Sequence, residues 1–161
     1  MKKIFLIAVV FTLVSGVIYA AKCKLEETKD PVTGKVTIGQ KVLIQTKTAG
    51  YFIGLRSTDG KYVFKFEPSF SGNYKHKVAK GTITTLRLED ESLITLKSSA
   101  NVAPVILTYG ADVFSKYIIE YKLSKEDFDK LVKSRIMDLK YIVGIERILP
   151  LEKGKDKKQS K

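Results

Sequence analysis

The chain has 161 residues, and its 29 lysines and arginines outnumber its 17 aspartates and glutamates, which gives a formal net charge of +12 at pH 7. This length fits a single domain. With one cysteine and one histidine, the sequence excludes an internal disulfide and offers no set of side chains typical of a zinc site.

The first 20 residues have the pattern of a secretory signal peptide. Lys2 and Lys3 precede the uncharged apolar stretch 4–14, and small residues follow it up to Ala20. Charged, apolar and small-residue regions in this order predict export with cleavage after Ala20, and hence a periplasmic or secreted protein. The alternative is an uncleaved anchor, since residues 4–21 approach the length that spans a bilayer.

The excess of basic residues indicates anionic partners. Without Lys2 and Lys3 the formal charge of +12 falls to +10. Export disfavours nucleic acid, which leaves anionic glycan, lipid head groups or an acidic protein as partners. The alternative is that lysines scattered over many strands only solubilise the surface.

Cys23 lies just after the predicted leader, which raises the possibility of lipid attachment. Lys22 precedes it, at a position where bacterial lipoprotein signals favour a small residue, so the sequence argues against this modification. The other interpretations are a free or buried thiol and pairing with a second molecule. We therefore expect membrane contact only if the leader is retained or Cys23 is lipidated.

Turn signals divide the next part of the chain into short strands. Residues 30–35, DPVTGK, predict a turn, and the pair Asp59-Gly60 between alternating apolar runs predicts a hairpin. Residues 68–77 are predicted to be a polar loop. A second hairpin is predicted around residues 89–92, and a further strand at 105–109.

One helix is predicted late in the chain. Ser124 suits the N-cap, Asp127 follows at the capping-box position, and Phe128, Leu131 and Val132 form one apolar face. Strand patterns flank it on both sides, and the downstream pattern bends at Gly144. The helix connects these strands either as a parallel crossover or as a cap over an open end of the sheet.

These elements predict an α+β fold, with a mainly antiparallel β-sheet of about seven to nine short strands and one late α-helix between two strands. Residues 21–150 form a single β-rich domain in this interpretation. Residues 151–161 are rich in lysine and lack apolar periodicity, which predicts a basic disordered tail.

Catalytic motifs are scarce, so we expect neither an enzyme nor a cofactor. His76 lies between two lysines in a polar loop, far from any nucleophile motif. A glycan hydrolase needs only two opposed acids, and the densest acidic cluster is Glu89, Asp90 and Glu91. Adjacent acids in a turn are more typical of a solvated surface.

Aromatic residues interleaved with lysines give the remaining candidate site, which consists of Lys65, Phe70, Tyr74, Lys75 and Lys77. If Phe70 and Tyr74 are exposed, the loop would bind sugar rings by stacking or an acidic partner by charge. Packing in the core is the competing explanation, and it applies above all to the alternating residues Tyr62, Phe64 and Phe66.

Four segments carry a resemblance: Cys23, the DPVTGK turn, residues 82–98 (TITTLRLEDESLITLKS) and residues 121–141 (YKLSKEDFDKLVKSRIMDLKY). Together they resemble small uncharacterised secreted proteins common in Gram-negative bacteria of the Bacteroidetes type. The resemblance implies export and a β-rich fold, and it transfers no catalytic residue.

The sequence thus favours a small exported binding module of the cell envelope that is not an enzyme. The alternatives are an envelope-glycan hydrolase that uses carboxylates and a membrane-anchored structural protein of the envelope.

Overall fold

The computed structural model describes residues 26–29, 31, 33, 36–45 and 49–151. The predicted signal peptide, Cys23 and residues 152–161 of the predicted tail lie outside the described residues. Within the described range the chain forms eleven strands and one helix: β1 (Glu26–Lys29), β2 (Val36–Gln45), β3 (Ala49–Thr58), β4 (Lys61–Ser71), β5 (Ile83–Leu88), β6 (Leu93–Lys97), β7 (Val105–Tyr109), β8 (Asp112–Lys116), β9 (Ile119–Leu123), α1 (Lys125–Lys133), β10 (Ile136–Val143) and β11 (Ile145–Pro150).

The strands form two antiparallel sheets. The large sheet has seven strands in the order β1-β2-β3-β4-β8-β7, with β9 also paired to β4, and the small sheet has four in the order β11-β10-β5-β6. The predicted antiparallel sheet is confirmed, although the described residues form eleven strands instead of seven to nine. With one helix of nine residues, the fold is mainly β, and α+β describes it only loosely.

Both predicted hairpins are confirmed. Asp59 and Gly60 connect β3 to β4 with φ angles of 49° and 71°, the left-handed values that a two-residue type I′ turn requires. In the second hairpin, β5 pairs with β6, and the Asp90 carboxylate accepts hydrogen bonds from the backbone N–H and the hydroxyl of Ser92. Both turns are therefore fixed by local chemistry.

The prediction of a loop from residue 68 is wrong, because β4 continues through Ser71. The two strands β8 and β9 pair in the same register with one edge of β4, and Pro68 lies opposite the gap between them. The Tyr117 N–H donates to the Pro68 carbonyl at 2.9 Å, but proline has no N–H to donate in return. The missing bond divides one long strand into β8 and β9.

The core lies between the two sheets. The large sheet contributes Tyr51, Ile53, Phe64, Phe66, Phe70, Tyr117, Ile119 and Tyr121, and the small sheet contributes Leu86, Leu88, Ile94, Leu96, Leu139, Tyr141, Val143 and Leu149. Alternating residues of each strand supply this face, as the pleat requires. Across it, the Phe66 and Tyr141 rings meet edge to face at 4.9 Å, and the Thr84 and Tyr121 hydroxyls are hydrogen-bonded at 2.7 Å.

Helix α1 connects the two sheets, since β9 belongs to the large sheet and β10 to the small one. Neither of the two predicted connections describes it fully, because its flanking strands do not share a sheet. Ser124 is the N-cap, as predicted, and its hydroxyl accepts from the Asp127 N–H at 3.0 Å. Phe128 is buried, with its ring 4.7 Å from that of Tyr62. Val132 remains 38% exposed, so its predicted place on the buried face is wrong.

Candidate binding site

Arg147 lies at the core-facing register of β11, where it pairs with Tyr141 of β10. Its guanidinium carbon Cζ is 4.8 Å from the centre of the Phe70 ring on β4. Two strands from different sheets therefore bring a cation and an aromatic ring together. A guanidinium at this distance from a ring is stabilised by the negative face of the ring.

The guanidinium lacks a counter-ion in the described part of the chain. Its Nε atom is buried and is the only such side-chain nitrogen or oxygen there without a hydrogen-bond partner. None of the ion pairs formed by the described residues includes Arg147. An unpaired polar group at a buried position costs free energy. Arg147 as a whole is only half-buried, so an anion bound at its solvent-exposed part would supply the counter-charge that the described residues do not.

Tyrosine rings complete the surroundings of Phe70. Tyr74 lies 5.6 Å from Phe70 and Tyr117 lies 6.2 Å from it, measured between ring centroids. Burial raises the pKa of the Tyr117 phenol and so does Tyr74, while the positive charge of Arg147 acts in the opposite direction. We call Phe70, Tyr74, Tyr117 and Arg147 the Arg147 site.

A short segment, residues 72–77, carries Tyr74 of this site, and we call it the basic loop. The buried Ser115 hydroxyl donates to the Gly72 carbonyl and accepts from the Tyr74 N–H, both at 2.7 Å. The Tyr117 hydroxyl donates to the His76 carbonyl at 2.9 Å. These bonds hold the loop against β8 and the residue that follows it.

The structure places the five predicted site residues in different environments. Phe70 and Tyr74 are in contact, but Phe70 is only 4% exposed, so the condition that both rings lie at the surface is not met. Tyr74 is half-buried, and Lys75 and Lys77 are exposed on the basic loop. Phe70 therefore acts as a buried support for Arg147 and Tyr74.

Lys65 lies on the outer face of the large sheet, opposite to the core face that holds Phe70. Strand alternation separates them, because residues at odd spacing along β4 point to opposite sides. Its Nζ pairs with Glu67 at 2.6 Å, and Lys116 contacts the same carboxylate at 2.7 Å. Burial alone would raise the pKa of Glu67, but Lys116 and Lys65 outweigh this effect and lower it. Lys65 is thus a paired surface cation remote from the Arg147 site.

His76 is exposed, as predicted, and its ring lies against the turn between β10 and β11. A Cβ atom placed on Gly144 would be 2.7 Å from Cδ2 of His76, so the glycine leaves room for the ring. The basic loop therefore contacts the same hairpin that carries Arg147.

The acidic cluster of residues 89–91 lies at the surface, and it forms no second site among the described residues. Glu89, Asp90 and Glu91 are exposed on the β5–β6 turn, where Glu91 pairs with Arg87 at 3.3 Å. Among the described residues, no group of three or more His, Cys, Asp and Glu side chains is arranged to hold a metal ion. The described part of the chain also contains no helix that meets the length and apolarity needed to span a membrane.

Sequence reasoning missed Arg147, the residue on which the site depends. Its signal was nevertheless present, because Arg147 alternates with the buried Leu149 along β11. An arginine at a core-facing register is unusual, since charged side chains are seldom buried without a partner.

Comparison with known proteins adds no assignment: no protein-family model, no curated protein and no solved structure matches this chain.

Proposed function

We propose that the protein is an exported, non-enzymatic binding module of the bacterial cell envelope that recognises an anionic glycan through the Arg147 site. The observation that carries this proposal is the half-buried guanidinium of Arg147, which has no counter-ion among the described residues. Export rests on the pattern of residues 1–20 and agrees with the resemblance to secreted proteins of Bacteroidetes-type bacteria.

The site suits a carboxylated sugar better than a small spherical anion. The guanidinium is planar, and its donors match the two oxygens of a carboxylate. Tyr74, which is half-buried beside Phe70, supplies a ring edge or face on which a sugar can pack. Lys75 and Lys77 extend the positive surface along the basic loop, which favours a chain with repeated negative charges.

Binding is favoured over carboxylate catalysis because of where the acids lie. The densest acidic cluster is engaged in the exposed β5–β6 turn, and Asp90 there is held by Ser92 at 2.6 Å. Glu67 is neutralised by two lysines on the outer face of the large sheet. These positions suit structural roles, whereas a glycosidase needs two acids opposed across a cleft.

The ligand class is tested by calorimetric titration with matched sugars. The probes are a uronic-acid tetrasaccharide and its methyl ester, which keeps the rings but removes the charge. We expect the acid to bind at least tenfold more tightly than the ester, a difference of about 1.4 kcal/mol. Equal binding of both sugars, or binding of neither, would contradict the proposal.

Two further titrations separate the glycan from other anionic partners. Vesicles that contain an anionic phospholipid represent lipid head groups, and a glutamate-rich peptide represents an acidic protein. We expect weaker, salt-sensitive binding of both, because neither combines a carboxylate with a sugar ring. Tighter binding of the vesicles or the peptide would reassign the partner and overturn the choice of a glycan.

A further inference from the structure

Strand β7 forms one end of the large sheet, and among the described strands it pairs only with β8. Its sequence, VILTY, lies in a stretch without any charged residue from Asn101 to Ala111. The strands at the other sheet ends carry charges: Glu27 and Lys29 in β1, Lys97 in β6 and Glu146 in β11. Charged side chains normally protect a sheet edge against pairing with another strand, and β7 lacks this protection.

Apolar side chains are exposed on both faces of β7. Val105 pairs with Lys116 and is 48% exposed, while Ile106 pairs with the core-facing Ser115 and is 43% exposed. Tyr109, at the end of the strand, is 67% exposed. A strand that is apolar on both faces is typical of the interior of a sheet, although β7 lies at an end.

We propose that β7 pairs antiparallel with β7 of a second copy, about a two-fold axis at Leu107, so that the two large sheets join into one. In this register Val105 lies opposite Tyr109 of the other copy, and Ile106 lies opposite Thr108. Leu107 lies opposite its own counterpart. No charged side chain is placed at the seam, and the contacts are mainly apolar.

A second copy fits this edge because the edge is complementary to itself. A two-fold interface uses the same surface twice. Any charged residue on the strand would therefore lie near a like charge of the second copy. β7 contains no charged residue, so this repulsion does not arise. In this register the row of Asp112 and Tyr109 continues into Val105 and Lys116 of the second copy. Asp112 and that Lys116 then lie three strand spacings apart, about 14 Å, so neither opposes a like charge across the seam. The net positive charge of each copy is screened over such distances at physiological salt.

Sedimentation velocity of the exported protein over a range of concentrations tests this pairing. We expect a monomer–dimer equilibrium that Ile106→Lys shifts at least tenfold towards the monomer, because the two new lysines would lie diagonally across the seam. Ile148→Lys on β11 is the matched control, since Ile148 is 66% exposed and the charge change is the same. A monomer at every concentration, or an equal effect of both variants, would overturn the proposal.

A cross-link tests the register independently of affinity. Leu107→Cys in a Cys23→Ser background would place two cysteines directly opposite each other, at Cα distances of about 4.5–5.5 Å, within the range that a disulfide spans. We expect a disulfide-linked dimer under oxidising conditions and none from Cys23→Ser alone. If Leu107→Cys stays monomeric while the protein sediments as a dimer, the dimer uses another surface and the β7 pairing is wrong.

Discussion

The guanidinium of Arg147 lies over the ring of Phe70, with Cζ 4.8 Å from the ring centre. This contact joins the last strand of the small sheet to the central strand of the large one. Phe70 is buried and therefore holds the Arg147 side chain from below. Arg147 has no acidic partner among the described residues, so its positive charge is not neutralised by a neighbouring carboxylate.

Two hydrogen bonds to the Ser115 hydroxyl hold the basic loop in place. Ser115→Ala removes the donor to the Gly72 carbonyl and the acceptor of the Tyr74 N–H, so both backbone groups would lose their partner. We expect a loss of about 1–3 kcal/mol in the free energy of unfolding, measured by urea denaturation. Ser71→Ala, at an exposed position near the same end of the large sheet, is the control and should change stability by less than about 0.5 kcal/mol. Equal effects of the two changes would contradict the role of Ser115.

Gly60 is a matched control for the contact between Gly144 and the His76 ring. Gly144 and Gly60 have nearly equal φ angles, +72° and +71°, but a Cβ on Gly144 meets the His76 ring whereas one on Gly60 meets nothing within 4 Å. Both alanine substitutions should destabilise the fold by about 1 kcal/mol through backbone strain. Gly144→Ala should cost about 1 kcal/mol more, since an added atom overpacks the contact.

His76→Ala should remove that additional cost from Gly144→Ala and leave Gly60→Ala unchanged. Thermal unfolding of the single and double variants measures this coupling. If the two glycine substitutions are equally destabilising, the His76 ring does not lie against the turn.

The hydroxyls of Thr84 and Tyr121 form a buried pair between the sheets, 2.7 Å apart. Thr84→Val or Tyr121→Phe leaves one hydroxyl without a partner, so each should lower the free energy of unfolding by about 1–3 kcal/mol. The double variant removes both polar groups and should be less destabilised than the sum of the two. Additive losses in the double-mutant cycle would show that the hydroxyls do not interact.

Alkaline pH should unfold the protein through its buried phenols. Burial raises the pKa of Tyr121 to about 12, and it also raises that of Tyr141. A phenol with a folded-state pKa above its unfolded value of 10.0 stabilises the fold below pH 10, and this contribution is lost as the pH rises through the folded-state value.

For Tyr121 alone the loss between pH 10 and pH 12 amounts to about 2–3 kcal/mol. Denaturation at a series of pH values should show this decline, and Tyr121→Phe should make it shallower. An equally steep decline in Tyr121→Phe would assign the effect to other groups.

Local patterns were sufficient to predict several elements of the fold. The Asp59-Gly60 hairpin and the Ser124 cap depend on backbone angles and hydrogen bonds within a few residues, which the sequence specifies directly. Strand β1 was missed because its side chains at Glu27, Thr28 and Lys29 are all exposed. An edge strand of this kind needs no alternation of apolar and polar residues, so it leaves no periodic signal.

The features that the sequence did not predict depend on contacts between residues that lie far apart in the chain. Pro68 suggested a loop, but it lies inside β4 because its missing N–H faces the gap between β8 and β9. Phe70 and Tyr74 are in contact, whereas the cation beside Phe70 is Arg147 rather than Lys65. No local pattern reveals that contact, since it depends on how the small sheet packs against the large one.

The most direct test of the proposed binding function is the affinity of Arg147→Met for the uronic-acid tetrasaccharide, compared with that of Arg135→Met. Both variants lose one positive charge, and Arg135 is an exposed residue after α1. We expect Arg147→Met to remain folded and to bind at least tenfold more weakly, while Arg135→Met binds like the unchanged protein. Equal affinities in the two variants would show that the anion does not bind at Arg147 and would contradict the proposal.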